Sequence, residues 1–209
     1  MDLSFTLEDI FKMERRFRAN LINAISGIKS ANLIGTVNAD GLTNLAVFNS
    51  TMHIGANPPL MSIIIRPTTA QRHTYENIKS TGYFTINAVD EALIERAHRT
   101  SGKFDKEVSE FIMCDIKPTF SNLLPSPYVA ESSIQIGLKV AEEHHIKANQ
   151  TIMLIGKIIE IRLPNGGVEN DGQLNLKKLN LVGINGLNQY CSVKQVKSLP
   201  FVSTASLRQ

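Results

Sequence analysis

Asn44-Leu-Ala-Val-Phe-Asn-Ser-Thr51, His53-Ile-Gly-Ala-Asn-Pro-Pro59 and Leu60-Met-Ser-Ile-Ile-Ile-Arg-Pro67 run almost without a break, and Arg72-His-Thr-Tyr-Glu-Asn77 follows after a short gap. Short apolar runs bounded by Pro, Gly and Asn read as buried strands. These strands end in hydroxyls, amides and arginines. The polar groups therefore collect at the rim of a sheet, where they present hydrogen-bond donors to an anion such as a phosphate.

Working outward, residues 31–37 are apolar and short, and Asn38-Ala-Asp40-Gly41 supplies a turn ending in Gly. With residues 43–51 they read as a hairpin. Upstream, Thr6 caps a helix whose first turn carries acids, and apolar spacing from Ile10 to Ile25 extends helical structure to Gly27, as one helix or two. Downstream, Pro58-Pro59 opens a strand over residues 60–65 that Pro67 closes. Residues 74–79 form a short helix with Gly82 past its end as the stop signal.

Residues 83–87 are a strand, 91–98 a helix, 100–108 a loop and 118–127 a surface connection. Two long strands follow over 129–140 and 151–163, then a turn at Asn165-Gly166-Gly167. The tail after Pro200 is a candidate for disorder. Hairpin-linked strands with inserted helices predict a mainly β barrel or sandwich, not a doubly wound sheet. The 209 residues fit one domain, with an N-terminal helical segment (about 6–27) and a variable C-terminal segment (about 165–209).

Composition narrows the function. Apolar residues make up 43% and charged residues 20%, as in ordinary globular proteins. The net charge of +3 is spread over scattered lysines and arginines and aromatics are only 6%, which argues against a nucleic-acid surface. No apolar run reaches the length of a membrane span, and Met1-Asp2-Leu3-Ser4 lacks a signal-peptide start, so a cytoplasmic protein is expected. Cys114 and Cys191 show no pairing motif or metal spacing, and read as core thiols in a reducing compartment.

Several chemistries lack their motif. There is no Gly-rich dinucleotide turn, Walker-type phosphate loop or nucleophile elbow. His144-His145 suggests a metal site, but adjacent side chains on a strand point to opposite faces, so surface histidines are expected. Thr74 has two readings: a simple N-cap, or a cap over free helix amides that face an anion with Arg72, His73 and Asn77 adding donors. Arg66, at a strand end, is either a snorkelling side chain or a ligand. Asn49, Ser50 and Thr51 are either ordinary strand-end groups or part of the same site.

Residues 44–50, Asn57-Pro-Pro59, Arg72-His-Thr-Tyr-Glu-Asn-Ile78 and Thr81-Gly-Tyr-Phe-Thr-Ile-Asn87, with weaker matches at Ser109-Glu110-Phe111, Val129-Ala-Glu-Ser132 and Ile155-Gly156, resemble in order and spacing the flavin reductase-like family of FMN-binding split-barrel proteins, of flavoredoxin or flavin oxidoreductase type. The likeness spans residues 20–160. It implies a six-stranded Greek-key split β-barrel, a homodimer, and FMN (with FAD as the other flavin) near the subunit interface. It further implies that Asn49, Ser50 and Thr51 lie along the flavin and its phosphate. Arg72, His73, Thr74 and Asn77 match a segment that carries a Lys-Asp-Thr-like phosphate clamp, with Arg and His in the first two places. With no Trp in the chain, stacking on the ring falls to Phe48, Tyr83 or a residue of the partner chain; the resemblance extends to Thr100 and Ser101, and Arg66 joins the set from its place at a strand end.

Three functions fit this reading. In the first, an FMN-dependent reductase passes hydride from NADH or NADPH to the flavin; the cofactor carries the chemistry, so no acid-base dyad is required and no catalytic residue is nominated. The second is a flavin-binding electron carrier without nicotinamide turnover. The third is a split-barrel module that binds another phosphorylated cofactor, such as a pyridoxal phosphate or a haem-related compound.

Overall fold

The computed structural model describes residues 3–200 and 202, so most of the tail beyond Pro200 lies outside the described residues. The N-terminal segment resolves into two helices. In α1 (Leu7–Lys12), the Thr6 hydroxyl accepts from the Asp9 amide while the Asp9 carboxylate accepts from the Thr6 amide, a reciprocal capping box. The chain then breaks at Met13, and Glu14 caps α2 (Arg15–Ala24) by accepting from the Phe17 amide at 2.9 Å.

β1 (Lys29–Ser30) leads into the hairpin β2 (Asn32–Val37) and β3 (Thr43–Phe48). The Asn38 side-chain oxygen accepts from the Asp40 and Leu42 amides and holds the turn. β4 (Met52–Ala56) and β5 (Pro59–Ile65) form a second hairpin. α3 (His73–Thr81) ends at Gly82, whose φ of +76° is the left-handed cap conformation that glycine adopts without strain. β6 (Tyr83–Ala88), a 3-10 turn (Glu91–Leu93) and α4 (Ile94–Arg99) follow.

After the loop come α5 (Glu110–Met113) and two short strands, β7 (Pro118–Thr119) and β8 (Tyr128–Val129). The long pair is β9 (Gln135–Ile146) and β10 (Thr151–Arg162), and the chain continues through α6 (Leu176–Leu179), β11 (Val182–Asn185) and β12 (Gln189–Ser192). The first long strand sits later than expected. Val129 pairs with Pro118 instead, and the ladder with β10 runs from Gln135 through Ile146.

The main sheet has the order β3-β2-β6-β9-β10-β5-β4. Its two edge strands, β3 and β4, are joined by only residues 49–51, a link that spans at most about 14 Å. Laid flat, seven strands would separate the edges by about 29 Å. The sheet must therefore curl until its edges approach, and it remains open between them because β3 and β4 do not pair. This is a split barrel with seven strands where six were expected. The extra strand is β4, a short, mostly exposed segment with a glycine in it and a register shift in its pairing with β5.

Curling creates two cores. Ile34, Ile63, Phe84, Ile86, Leu138 and Leu154 fill the inside, closed at one end by Ile78 of α3. Leu33 and Leu45, on the opposite face of β2 and β3, pack outward against Leu93, Ala97, Phe111, Val182 and Ile184. Gly35 lets the Pro127 carbonyl cross close over β2, where a Cβ would collide with that oxygen and with Thr85 Oγ1.

Asn87, fully buried, pins this crossing. Its Nδ2 donates to the Leu33 carbonyl (3.1 Å) and to Thr85 Oγ1 (2.9 Å), and its Oδ1 accepts from the Val129 amide (2.9 Å). Asn87→Ala strands these groups and should cost roughly 2–4 kcal/mol in urea unfolding; a loss below about 1 kcal/mol, the size of one net hydrogen bond, would contradict the pinning role.

Candidate functional site

α3 starts against the ends of β2 and β3, and a buried polar cluster holds it there. Asn44 Nδ2 donates to Thr36 Oγ1 and to Thr74 Oγ1, each at 3.1 Å, and Asn77 Nδ2 donates to Thr36 Oγ1 at 3.2 Å. All four residues are buried. Thr74 is thus not the helix cap. The N-cap position is Arg72, which gives no side-chain cap bond, and Thr74 lies inside the first turn. The amides at the start of this nine-residue helix are left without a side-chain acceptor.

Two further donors share this end of the helix. Arg72 Nε and His73 Nε2 are buried and have no partner among the described residues. Buried donors without partners are costly and rare in native proteins. Together with the uncapped amides and the positive end of the helix dipole, they form a place suited to an oxyanion.

α5 fastens the outer edge of β3 beside this point. Glu110 Oε2 accepts from the Leu45 amide at 2.9 Å, and the Thr43 and Ser109 hydroxyls are 2.7 Å apart. Burial pushes the Glu110 carboxyl above its usual range, opposed by backbone hydrogen bonds from Leu45 and Glu110 and by the nearby His73.

Asn49, Ser50 and Thr51 stand at the other end of β3. Asn49 Nδ2 donates to the Gly186 carbonyl at 2.7 Å, in the turn between β11 and β12. Ser50 Oγ lies 3.3 Å from both the amide and the carbonyl of Ile64. Thr51 Oγ1 is 2.9 Å from Ser30 Oγ and accepts from Asn32 Nδ2 at 2.6 Å. Phe48 is half-buried against the inner core. Asn44 and Asn49 are about 17 Å apart along an extended strand, so the two polar groups mark the ends of one elongated strip.

The other predicted residues do not join this strip through any shared hydrogen-bond partner. Arg66 is exposed just past β5. The Thr100 and Ser101 hydroxyls donate to the Ala97 and His98 carbonyls, each at 2.7 Å, at the end of α4. A cleft of about 660 Å³ lined by Thr43, Arg96, Phe111 and Ile116, and another of about 470 Å³ between Ile28 and Lys194, contain none of the predicted residues. His144 and His145 are exposed, each bonded to a glutamate two residues before it.

Sequence reading overlooked Thr36, Asn44 and Glu110. Asn44 carried a signal, since it shares the face of Ala46 and Phe48 by alternation. Thr36 carried none, and Glu110 carried only the weak Ser109-Glu110-Phe111 match with no role attached, because only the fold brings them to β3.

The Glu110 shift has a sign that can be checked. A carboxyl raised by burial contributes most favourably below its ordinary range, and that contribution is lost as the pH rises through its ordinary and then its raised value. Glu110→Gln keeps an acceptor for Leu45 without the charge. The stability of Glu110→Gln relative to the parent should therefore rise between pH 4 and pH 7 in urea unfolding; a difference that stays flat with pH would contradict the buried-carboxyl reading.

Comparison with known proteins fits this geometry. A family model described as the flavin reductase like domain matches residues 25–182. A split-barrel protein from Shewanella frigidimarina NCIMB 400, assigned as a flavin reductase, superposes with a TM-score of 0.92 at 41% identity, covering 96% of this chain and all of that one. The flavoredoxin of Desulfovibrio vulgaris (Miyazaki F) aligns over 83% of this chain and 91% of its own at 22% identity and a TM-score of 0.72. An FMN-binding protein from Thermus thermophilus does so over the same shares at 14% identity and a TM-score of 0.69, and these last two likenesses concern the fold alone. With a family match over most of its length and the curled, open sheet just described, the chain belongs to the flavin reductase like family of split-barrel proteins.

Proposed function

We propose that the protein binds FMN along β3 and works as a flavin oxidoreductase that accepts hydride from NADH or NADPH. The observation that carries the binding reading is the pair of partnerless buried donors, Arg72 Nε and His73 Nε2, at the uncapped start of α3. They fit a phosphate in charge and donor type. The roles of Arg66, Thr100 and Ser101 as flavin ligands have no such support.

Thr74 and Asn77 act in this reading mainly as positioning residues. Their side chains are committed to the Thr36–Asn44 cluster, which fixes the helix start relative to β3. Along the strand, Leu45 and Val47 direct their amides away from β2 by antiparallel alternation. Glu110 takes the Leu45 amide, which leaves the Val47 amide on the open edge as a donor for the ring. Asn49, Ser50 and Thr51 bound the far end, and Phe48 supplies apolar surface.

The energetics are consistent with a moderately held cofactor. Three charge-assisted hydrogen bonds to a phosphate contribute about 6 kcal/mol, whereas micromolar binding needs about 8 kcal/mol. The ring must supply the difference by burial against β3 and a neighbouring chain, which favours a homodimer with the flavin near its interface. When bound, the flavin supplies hydride acceptance and electron transfer; the protein's part is to hold, orient and shield it. A cytoplasmic location is part of this proposal; no helix among the described residues is long and apolar enough to cross a membrane.

Replacing Arg72 and His73 by Ala together should weaken FMN binding at least tenfold, about 1.4 kcal/mol, when titrated by flavin fluorescence quenching. Unchanged affinity would remove the phosphate site from α3. With FMN bound, steady-state oxidation of NADH or NADPH should proceed above the rate of free flavin; a flavin-loaded protein that oxidises neither would be an electron carrier instead.

A further inference from the structure

The cleft of about 660 Å³ between α4, α5 and the β7–β8 pair has the size of a small-molecule site, about 300–1,000 Å³. Phe111, Ile112, Ile116 and Pro118 give it an apolar lining, and groups of both signs stand among them. Thr43 is the residue of β3 that reaches it, one position before Asn44, whose amide holds Thr74 of α3. Glu110, next to Phe111, bonds the Leu45 amide and lies near His73. The cleft is therefore a neighbour of the α3 end of the strip, where the partnerless donors stand.

Arg96 is not a loose surface cation. Its Nη1 donates to the Asp115 carbonyl at 2.8 Å and to Glu131 Oε1 at 2.9 Å. These bonds fix the guanidinium in the cleft wall and leave Nε and Nη2 for a ligand. The backbone marks the same place. Asp115 has a φ of +54°, in the left-handed region, at the turn where the Ile116 amide donates to the Phe111 carbonyl and ends α5. Glycine adopts this conformation without strain, and strained residues cluster at binding sites. The exposed Asp115 supplies the cleft with a carboxylate that glycine would not.

A fixed guanidinium suits a phosphate, an acidic side chain accepts from ribose hydroxyls, and apolar surface takes a flat base. All three stand together here. We propose that the cleft is a subsite for an adenylate group, the part that FAD and the nicotinamide dinucleotides share and FMN lacks. Arg96 and Lys117 hold its phosphate, Asp115 accepts from the ribose, and the base lies on Ile112 and Pro118. Glu131 is a positioning residue that sets Arg96. The choice of adenylate over another nucleotide rests on the flavin reading, which brings a dinucleotide to the adjacent strip.

Calorimetric titration of the full chain with adenosine monophosphate (AMP), which carries neither flavin nor nicotinamide, tests the subsite directly. The parent should bind AMP saturably at millimolar concentration. Ile112→Glu with Lys117→Glu should weaken that binding at least tenfold by placing like charge beside the phosphate, and the fold is retained because both side chains are exposed. Asp115→Gly should raise the thermal midpoint by relieving the backbone while it weakens AMP binding, a split that a purely structural aspartate would not give. FAD that binds more tightly than FMN, and loses this advantage in the double variant, assigns the subsite to the flavin. A KM for NADH or NADPH that rises in the FMN-loaded double variant assigns it to the nicotinamide donor. A parent that does not bind AMP, or AMP binding that the variants leave unchanged, would overturn the proposal. AMP binding that the variants abolish, in a protein that retains no FMN, would keep the subsite and remove the flavin reading; FMN binding without AMP binding would do the reverse.

Discussion

Three residues, Asn49, Ser50 and Thr51, connect the two edge strands of a seven-stranded sheet, and this short link constrains much else in the molecule. A chain of that length cannot cross a flat sheet, so the sheet must curl. Curling gives every strand an inside and an outside, which explains why β2 is buried along its whole length and shows no polar alternation. It also puts the ends of β3 where the link, the Gly186 turn and the start of α3 can all reach them. The link's side chains are tied to β5, β2 and the β11–β12 turn, so its path is fixed from three directions.

The open seam is engaged on its β3 side by a side chain. On β3, the Glu110 carboxylate takes the outward amide of Leu45, replacing a strand partner with a side chain from a four-residue helix. Closing the barrel through β4 would displace this contact. The open edge exposes backbone groups that a planar ligand or another chain can use, and an all-paired barrel would offer none. The architecture therefore gives up some hydrogen bonding at one seam and gains an elongated strip with a polar group at each end.

The start of α3 shows how positioning and binding are divided among neighbouring residues. Thr74 and Asn77 are buried and hydrogen-bonded, and they hold the helix to the hairpin. Arg72 and His73, just before and within the first turn, keep buried nitrogens without partners. Satisfying those donors inside the chain would improve stability. Left unpaired, they concentrate favourable potential for an anion at one point.

Much of the backbone was determined locally. The Thr6 cap, the Asn38–Gly41 turn, the Gly82 stop and the apolar run of β5 each act within a few residues, so their consequences could be read in order along the chain. Phe48, Asn49, Ser50 and Thr51 could be found as a cluster for the same reason. The tertiary structure decided what depends on distance across the sheet. β4 is a strand only because β5 pairs with it, and the ladder of β9 starts six residues after Val129 because Val129 is taken by Asn87 and Pro118. Thr74 lost the capping role and gained a place in a cluster with Thr36 and Asn44, residues 30 or more positions away. Such partners leave no local signal, because a hydroxyl or amide looks the same in sequence whether it faces water, a ligand or another strand.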